Sequence, residues 1–243
     1  MRRTRFLGAC FLAALAACSP ASVPEPPSTP AAASTPAAAS TPAPAPASAA
    51  ALEGEIARFE AADRERLPAP GGVLFVGSSS FRLWPDLAGD FPGVPALNRG
   101  FGGSTLPDVL HFAPRIVLPY RPRLVLLYAG DNDIASGRTP AQVLDDYRAF
   151  VALVRRALPA TRIAFVSIKP SPSRWALVDR VREANRLVRE EAARDTLQRY
   201  IDVFTPVLGA DGRPRPELFV ADSLHMTPAG YAIWREVLAP VVR

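Results

Sequence analysis

Histidine, cysteine and lysine are nearly missing from this chain. Among 243 residues there are two histidines, His111 and His225, two cysteines, Cys10 and Cys18, and one lysine, Lys169. Both cysteines lie near the N-terminus, so the body of the protein has no internal disulfide, no thiolate nucleophile and no cysteine metal site. Any chemistry that needs an imidazole must choose between His111 and His225. Basic runs are absent too: three units of the +5 net charge come from Arg2, Arg3 and Arg5, and nothing suggests nucleic-acid binding. Phe6 to Ala14 is an apolar stretch too short to span a bilayer stably. What is plentiful is apolar residue, 49% of the chain, enough for one sizeable core plus appendages.

The N-terminus has the parts of a secretory signal. Arg2-Arg3-Thr4-Arg5 is a positive n-region, and the apolar stretch follows it. Leu15-Ala16-Ala17-Cys18 resembles a bacterial lipobox, in which the peptide is cut before the cysteine and the cysteine carries the lipid. The alternative is an ordinary signal cut at an Ala-x-Ala site. The lipobox resemblance predicts a signal over 1–17, lipidation of Cys18, and a protein held on a membrane surface in the cell envelope. Ser19, a non-aspartate after the cysteine, suits outer-membrane sorting by the same resemblance, with the protein facing the periplasm. Residues 18–51 are almost entirely Pro, Ala, Ser and Thr, with nothing to bury, and read as a tether of polyproline II character.

From Leu52 the composition changes, and 52–243 reads as one folded domain. Leu52–Glu60 has the apolar spacing of an amphipathic helix, which should end before Pro68. Strands are predicted at Val73–Val76, Val94–Asn98, Arg123–Tyr128, Arg162–Ile168 and Tyr200–Phe204. Helices are predicted from near Leu106, from Thr139-Pro140 to about Leu158, over Arg174–Arg194 and over Thr227–Leu238. Alternating strands and helices imply an α/β fold, a parallel sheet of about five strands covered on both faces. Ligands then sit at the carboxyl ends of the strands. The polar loops Gly77–Ser80, Gly100–Thr105 and Gly130–Asp133 all follow strands and should meet there.

These loops carry the chemistry. A hydroxyl at the strand-to-helix turn Gly77-Ser78-Ser79-Ser80 is well placed as a nucleophile, and the bland alternative is a serine-capped helix. Asp222-Ser223-Leu224-His225 can set a carboxylate beside one imidazole nitrogen and leave the other facing a nucleophile, the bland alternative being a turn capped by Asp222 with His225 on the surface. His111, inside a predicted helix, reads as structural. Gly100, Gly102 and Gly103 permit positive φ and close backbone approach. Asn132 offers an amide donor for an oxyanion, or an Asx-turn. Asp131 and Asp133 lack a matching ligand cluster, so no metal site is expected.

Taken in order, Gly77-Ser78-Ser79, Gly103, Gly130-Asp131-Asn132-Asp133 and Asp222-Ser223-Leu224-His225 resemble the blocks of the SGNH hydrolases, the GDSL-type esterases. The resemblance covers nearly the whole of 52–243. It implies a three-layer α/β/α flavodoxin-like fold and ester hydrolysis without a cofactor. It also implies Ser79 as nucleophile, His225 as base with Asp222 behind it, and oxyanion donors from the Ser79 N–H, the Gly103 N–H and the Asn132 side chain. One position departs from the pattern: Ser78 stands where the family has aspartate before the nucleophile. The expected partner is an ester substrate, short in its acyl part, such as an acylated envelope saccharide. The Val207–Pro216 connection is polar and offers no lid for a long chain. Trp84 and Trp175 are candidates for stacking on the alcohol, or for the core. An envelope O-acyltransferase, a lysophospholipase or lipase, and a non-catalytic envelope-binding module are the alternatives.

Overall fold

The computed structural model describes residues 46 and 48–243. The signal segment 1–17, Cys18 and most of the 18–51 tether lie outside the described residues. Five strands form one sheet: β1 (Val73–Gly77), β2 (Ala96–Gly100), β3 (Leu124–Tyr128), β4 (Arg162–Val166) and β5 (Gln198–Ile201). Every pairing is parallel, in the order β2-β1-β3-β4-β5. The order reverses at β1, which has β2 on one side and β3 on the other. In open parallel sheets this is where ligands bind. Gly77 is level with Gly100 and Tyr128, so the three polar segments leave the sheet side by side.

Side chains alternate across the sheet and build two cores. Leu74, Val76, Val125, Leu127, Ile163 and Phe165 face one, and Val73, Phe75, Leu124, Leu126, Ala164 and Val166 face the other. The helices are α1 (Ala49–Glu65), α2 (Ser79–Arg82), α3 (Leu106–Ile116), α4 (Asp131–Ala135), α5 (Pro140–Ala157), α6 (Val178–Ala192) and α7 (Pro228–Val242). The first core is covered by α1, α3, α5 and α6, and the second by α2, α7 and loop residues such as Leu87, Phe91 and Val207. This is the three-layer α/β/α arrangement of the sequence reading.

Local signals set the helix starts. Thr105 opens α3 and Thr139 opens α5, each with a capping box and a proline in the first turn. In α1, Asp63 accepts from Arg99 and from the Tyr120 hydroxyl, which pins the helix to β2 and to the turn after α3. No helix among the described residues is long and apolar enough to cross a membrane.

Several stretches differ from the sequence reading. The first helix begins at Ala49, inside the expected 18–51 tether, and Ala49 packs into the first core; β2 is shifted to Ala96–Gly100, β4 ends at Val166, and α7 runs on to Val242. The loop expected at Gly130–Asp133 turns into α4 at Asp131. The helix expected over Arg174–Arg194 opens with a 3-10 turn, Pro172–Leu177, before α6. The fifth strand ends at Ile201 instead of running to Phe204. The Ser167 hydroxyl accepts from the Val203 and Phe204 N–H groups, and Asp202 Oδ1 also takes the Phe204 N–H. These bonds turn the backbone away from β4.

Candidate active site

The turn after β1 depends on Gly77. Its φ is +134°, and a Cβ there would stand 1.9 Å from the Tyr128 carbonyl oxygen, so only glycine lets β1 close on the end of β3. The Ser78 N–H then donates to that same oxygen at 2.8 Å. The three serines diverge from here. Ser78 is buried, and its Oγ accepts from Asn132 Nδ2 at 2.9 Å. Ser80 is on the buried face of α2, with its carbonyl accepting from the Tyr231 hydroxyl of α7 at 2.9 Å. Only Ser79 turns toward the open edge, where its Oγ lies 2.9 Å from His225 Nε2.

His225 is carried by the connection before α7. Asp222 Oδ1 accepts from the Leu224 N–H at 2.8 Å and the His225 N–H at 2.9 Å, and Asp222 Oδ2 lies 2.6 Å from His225 Nδ1. The turn needs Ser223 at φ +56°, a left-handed conformation that serine adopts only when its surroundings hold it. They do: the Val220 N–H bonds the His225 carbonyl, the Ser223 N–H bonds the Val220 carbonyl, and Ser173 bonds the Ser223 carbonyl through both its N–H and its hydroxyl. The Thr227 hydroxyl caps α7 just beyond. The His225 backbone N–H, then its ring, then the Leu224 N–H hold the Asp222 carboxyl down to about 2. Asp222 is therefore an anion over any working pH. With Nδ1–H donated to it, Nε2 is left as an acceptor facing Ser79.

The segments after β2 and β3 close the other side. Asn132, in the first turn of α4, donates from Nδ2 to Ser78 Oγ and to the Ser104 carbonyl at 3.0 Å. Gly103, just before Ser104, is exposed and holds φ +71°. Of Gly100, Gly102 and Gly103, it alone uses the positive-φ freedom. Gly100 instead lets α2 pass: a Cβ there would be 2.5 Å from the Arg82 nitrogen. Gly102 donates its N–H to Glu55 Oε1 of α1 at 3.1 Å. The expected set of Ser79, His225, Asp222, Asn132 and the Gly103 segment thus meets at one edge of the sheet.

The other candidates fall elsewhere. Asp131 and Asp133 do not converge. Asp131 faces Tyr128, Lys169 and Arg174, whereas Asp133 accepts the Leu106 N–H. Desolvation raises the Asp133 carboxyl to about 7. His111 is exposed on α3 against Phe112. Trp84 is core, 3% exposed and donating to Asp90 at 2.7 Å. Trp175 is partly exposed beneath the Arg182 and Arg213 guanidinium groups. The Val207–Pro216 connection folds back on itself through a Leu208–Pro214 bridge.

Sequence reasoning missed the residues behind Asn132. Arg174 Nη2 donates to Asn132 Oδ1 at 2.9 Å, and Arg174 Nη1 lies 3.4 Å from Asp131 Oδ2. Lys169 is buried 3.5 Å from the same carboxylate oxygen, and desolvation first of all lowers its ammonium. A signal for Lys169 was available: the chain's one lysine directly follows a buried strand run. None marked Arg174 among so many arginines.

Known proteins share this architecture. The alpha1 subunits of platelet-activating factor acetylhydrolase IB from Bos taurus and Homo sapiens are each 28% identical over 183 residues, covering 72% of this chain and 75% of theirs. A structure described as a putative platelet activating factor from Streptococcus pneumonia superposes with a TM-score of 0.72 at 21% identity, over 79% of this chain and 92% of that one. An acetylxylan esterase from Geobacillus stearothermophilus does so with a TM-score of 0.58 at 15% identity, over 72% and 95%. At these identities the structural likenesses speak for the fold. The family model described as GDSL-like Lipase/Acylhydrolase matches residues 69–233, from just before β1 into α7, and the chain accordingly belongs to that family and is an SGNH-type ester hydrolase.

Proposed function

We propose that this protein is a serine esterase for short acyl groups, acetyl to butyryl, carried on a larger alcohol such as an envelope saccharide. The observation that carries the proposal is the relay from Ser79 Oγ to His225 Nε2, at 2.9 Å, and from His225 Nδ1 to Asp222, at 2.6 Å. Ser79 Oγ attacks the ester carbonyl carbon while His225 Nε2 takes its proton. The carbonyl oxygen becomes an oxyanion, held by the Ser79 and Gly103 N–H groups and by the Asn132 amide. One Asn132 N–H stays on the Ser104 carbonyl, and the other swings from Ser78 Oγ to the oxyanion. Collapse expels the alcohol, which leaves with the proton from His225. Water, deprotonated by His225, then releases the acid and restores Ser79.

Three observations favour a short acyl chain. The groups around Ser79 are polar: Ser78, Asn132, His225 and the Gly103 segment. Leu83, which follows α2, and Val220, two residues before Asp222, are 40% and 42% exposed, so neither is packed down as the wall of an enclosed apolar pocket. Such a site has little apolar area to reward each added CH₂ by the roughly 0.8 kcal/mol of full burial. The similar mammalian proteins are named acetylhydrolases, and the Geobacillus enzyme, an acetylxylan esterase, is described as a catalytic mutant when its serine or its histidine is replaced. Further, we place the domain on the envelope, on the outer membrane facing the periplasm, through a lipid at Cys18 and the 18–51 tether.

The test is kcat/KM across p-nitrophenyl esters from acetate to palmitate, with a fluorophosphonate probe mapped by mass spectrometry. Labelling at Ser79 and a maximum at acetate or butyrate are expected. A rise of about tenfold or more from butyrate to decanoate overturns the acyl assignment, since it requires a real chain pocket. Cys18→Ser should move the protein from the membrane to the soluble fraction, and unchanged fractionation removes the anchor.

A further inference from the structure

We propose that Arg174 is a positioning residue for the ester hydrolysis: its guanidinium fixes and polarises the Asn132 amide so that the NH₂ end faces the oxyanion. The inference rests on the oxyanion role given to Asn132 above and adds the group that makes that role possible. An asparagine side chain can rotate by half a turn and exchange its oxygen for its nitrogen. At Asn132 the exchange is blocked from both ends. A guanidinium has only donors, and Arg174 Nη2 stands 2.9 Å from Oδ1. A carbonyl has only lone pairs, and the Ser104 carbonyl stands 3.0 Å from Nδ2. The flipped amide would set donor against donor at Arg174 and acceptor against acceptor at Ser104. Of these two locks only the one at Arg174 is charged, and charge-assisted bonds are roughly twice as strong as neutral ones. A cation on the amide oxygen also draws electron density from nitrogen, which makes the N–H a better donor to a developing oxyanion.

The surroundings hold Arg174 in this role. Asp131 Oδ2 lies 3.4 Å from Arg174 Nη1 and 3.5 Å from Lys169 Nζ, and this ion pair anchors the guanidinium beside the Asn132 amide. The Arg174 N–H bonds the Ser171 carbonyl at 3.3 Å, and neighbouring Ser173 bonds the Ser223 carbonyl inside the turn that carries His225. The 3-10 turn after β4 therefore registers the oxyanion donor against the base.

A double-mutant cycle on the full-length protein, with p-nitrophenyl acetate, tests this. Asn132→Ala should lower kcat by roughly 10²–10³, the range for one oxyanion donor. Arg174→Ala should lower kcat by about 10–10² with KM changed less than about threefold, because the lost interaction belongs to the transition state. In the Asn132→Ala background, Arg174→Ala should cost less than about threefold more, since its effect passes through the missing amide. Added guanidinium ion should restore part of the rate to Arg174→Ala and none to the double variant. Arg174→Gln, which keeps an amide NH₂ and no charge, should lose more than about threefold but less than Arg174→Ala, and it serves if the alanine variant does not fold. If the two losses multiply, or either Arg174 variant stays within about threefold of wild type, Arg174 is not acting on Asn132. A loss under about tenfold in Asn132→Ala instead overturns the oxyanion assignment itself, and the role of Arg174 goes with it.

Discussion

Replacing Asp222 by asparagine isolates what the carboxylate does for His225. Asp222 Oδ1 receives two backbone N–H groups, from Leu224 and His225, and Oδ2 receives His225 Nδ1. An asparagine oxygen can keep both backbone donors, so the turn keeps its shape. Its NH₂ then takes the place of Oδ2, 2.6 Å from Nδ1 in the native geometry. Two donors cannot face each other there, so the ring must carry its proton on Nε2 and accept on Nδ1. Nε2–H would then point at Ser79 Oγ, and the hydroxyl would have no base. The cost is that of holding the wrong tautomer, about 10⁴ in kcat by the behaviour of such triads, or about 5 kcal/mol at 1.36 kcal/mol per decade. The assay is kcat with p-nitrophenyl acetate, with the rate of fluorophosphonate labelling as a second readout and thermal unfolding as the folding control. Both rates should fall together while Tm moves by only a few degrees. A folded Asp222→Asn protein within about tenfold of wild type in kcat would falsify the tautomer argument.

His225→Ala should lose about 10³ or more in kcat, whereas His111→Ala should leave it nearly unchanged; the reverse ranking contradicts the site. Ser79→Ala should abolish probe labelling, and Ser78→Ala and Ser80→Ala should still label; a label on either neighbouring serine shows the register to be wrong. Asp133 gives stability a pH dependence. Its carboxyl is raised from the ordinary 3.8 to about 7, so between those values the native state binds the proton more tightly than the unfolded one. Its contribution is complete below about pH 4 and is lost as pH rises through about 7. Urea midpoints should fall between pH 5 and pH 8, and Asp133→Asn should flatten that fall; an identical slope in the variant assigns the effect to another group.

Much of this site was legible because each block obeys a local rule. An apolar run ending in glycine and serines marks a buried strand and its turn, and the β1 register then places Gly77 beside Gly100 and Tyr128. Once the sheet is parallel, the ends of β1, β2 and β3 must share an edge, so Ser79, Gly103 and Asn132 are neighbours by topology. The Asp222–His225 pair is local, so its spacing permits the contact, and the resemblance to the SGNH blocks singles it out from other Asp-x-x-His pairs. What did not read was set by distant partners. The end of β5 is decided by the Ser167 hydroxyl, far back in the chain. Arg174 meets Asn132 across 42 positions, and nothing in the composition of Pro172–Leu177 announces that contact. Trp84 could stack on a substrate or fill a core on sequence grounds, and only the packing of α7 against Phe81 and Trp84 decides for the core.

Ser78 tests how far a motif letter matters. The family pattern has aspartate there, and a missing carboxylate beside the nucleophile looks at first like a missing charge. In the fold the position faces Asn132, and the Ser78 hydroxyl accepts the Asn132 amide at 2.9 Å. What the resting site needs there is an acceptor for the half-buried Asn132 N–H. A hydroxyl meets that need as a carboxylate would, and it brings no second anion next to the oxyanion that forms during reaction. With Arg174 cationic on one end of the Asn132 amide and a neutral acceptor on the other, the field across the oxyanion donor runs in one direction. The serine is thus compatible with the same chemistry, and it leaves the Asn132 proton held by a weaker, neutral bond from which it can pass to the substrate.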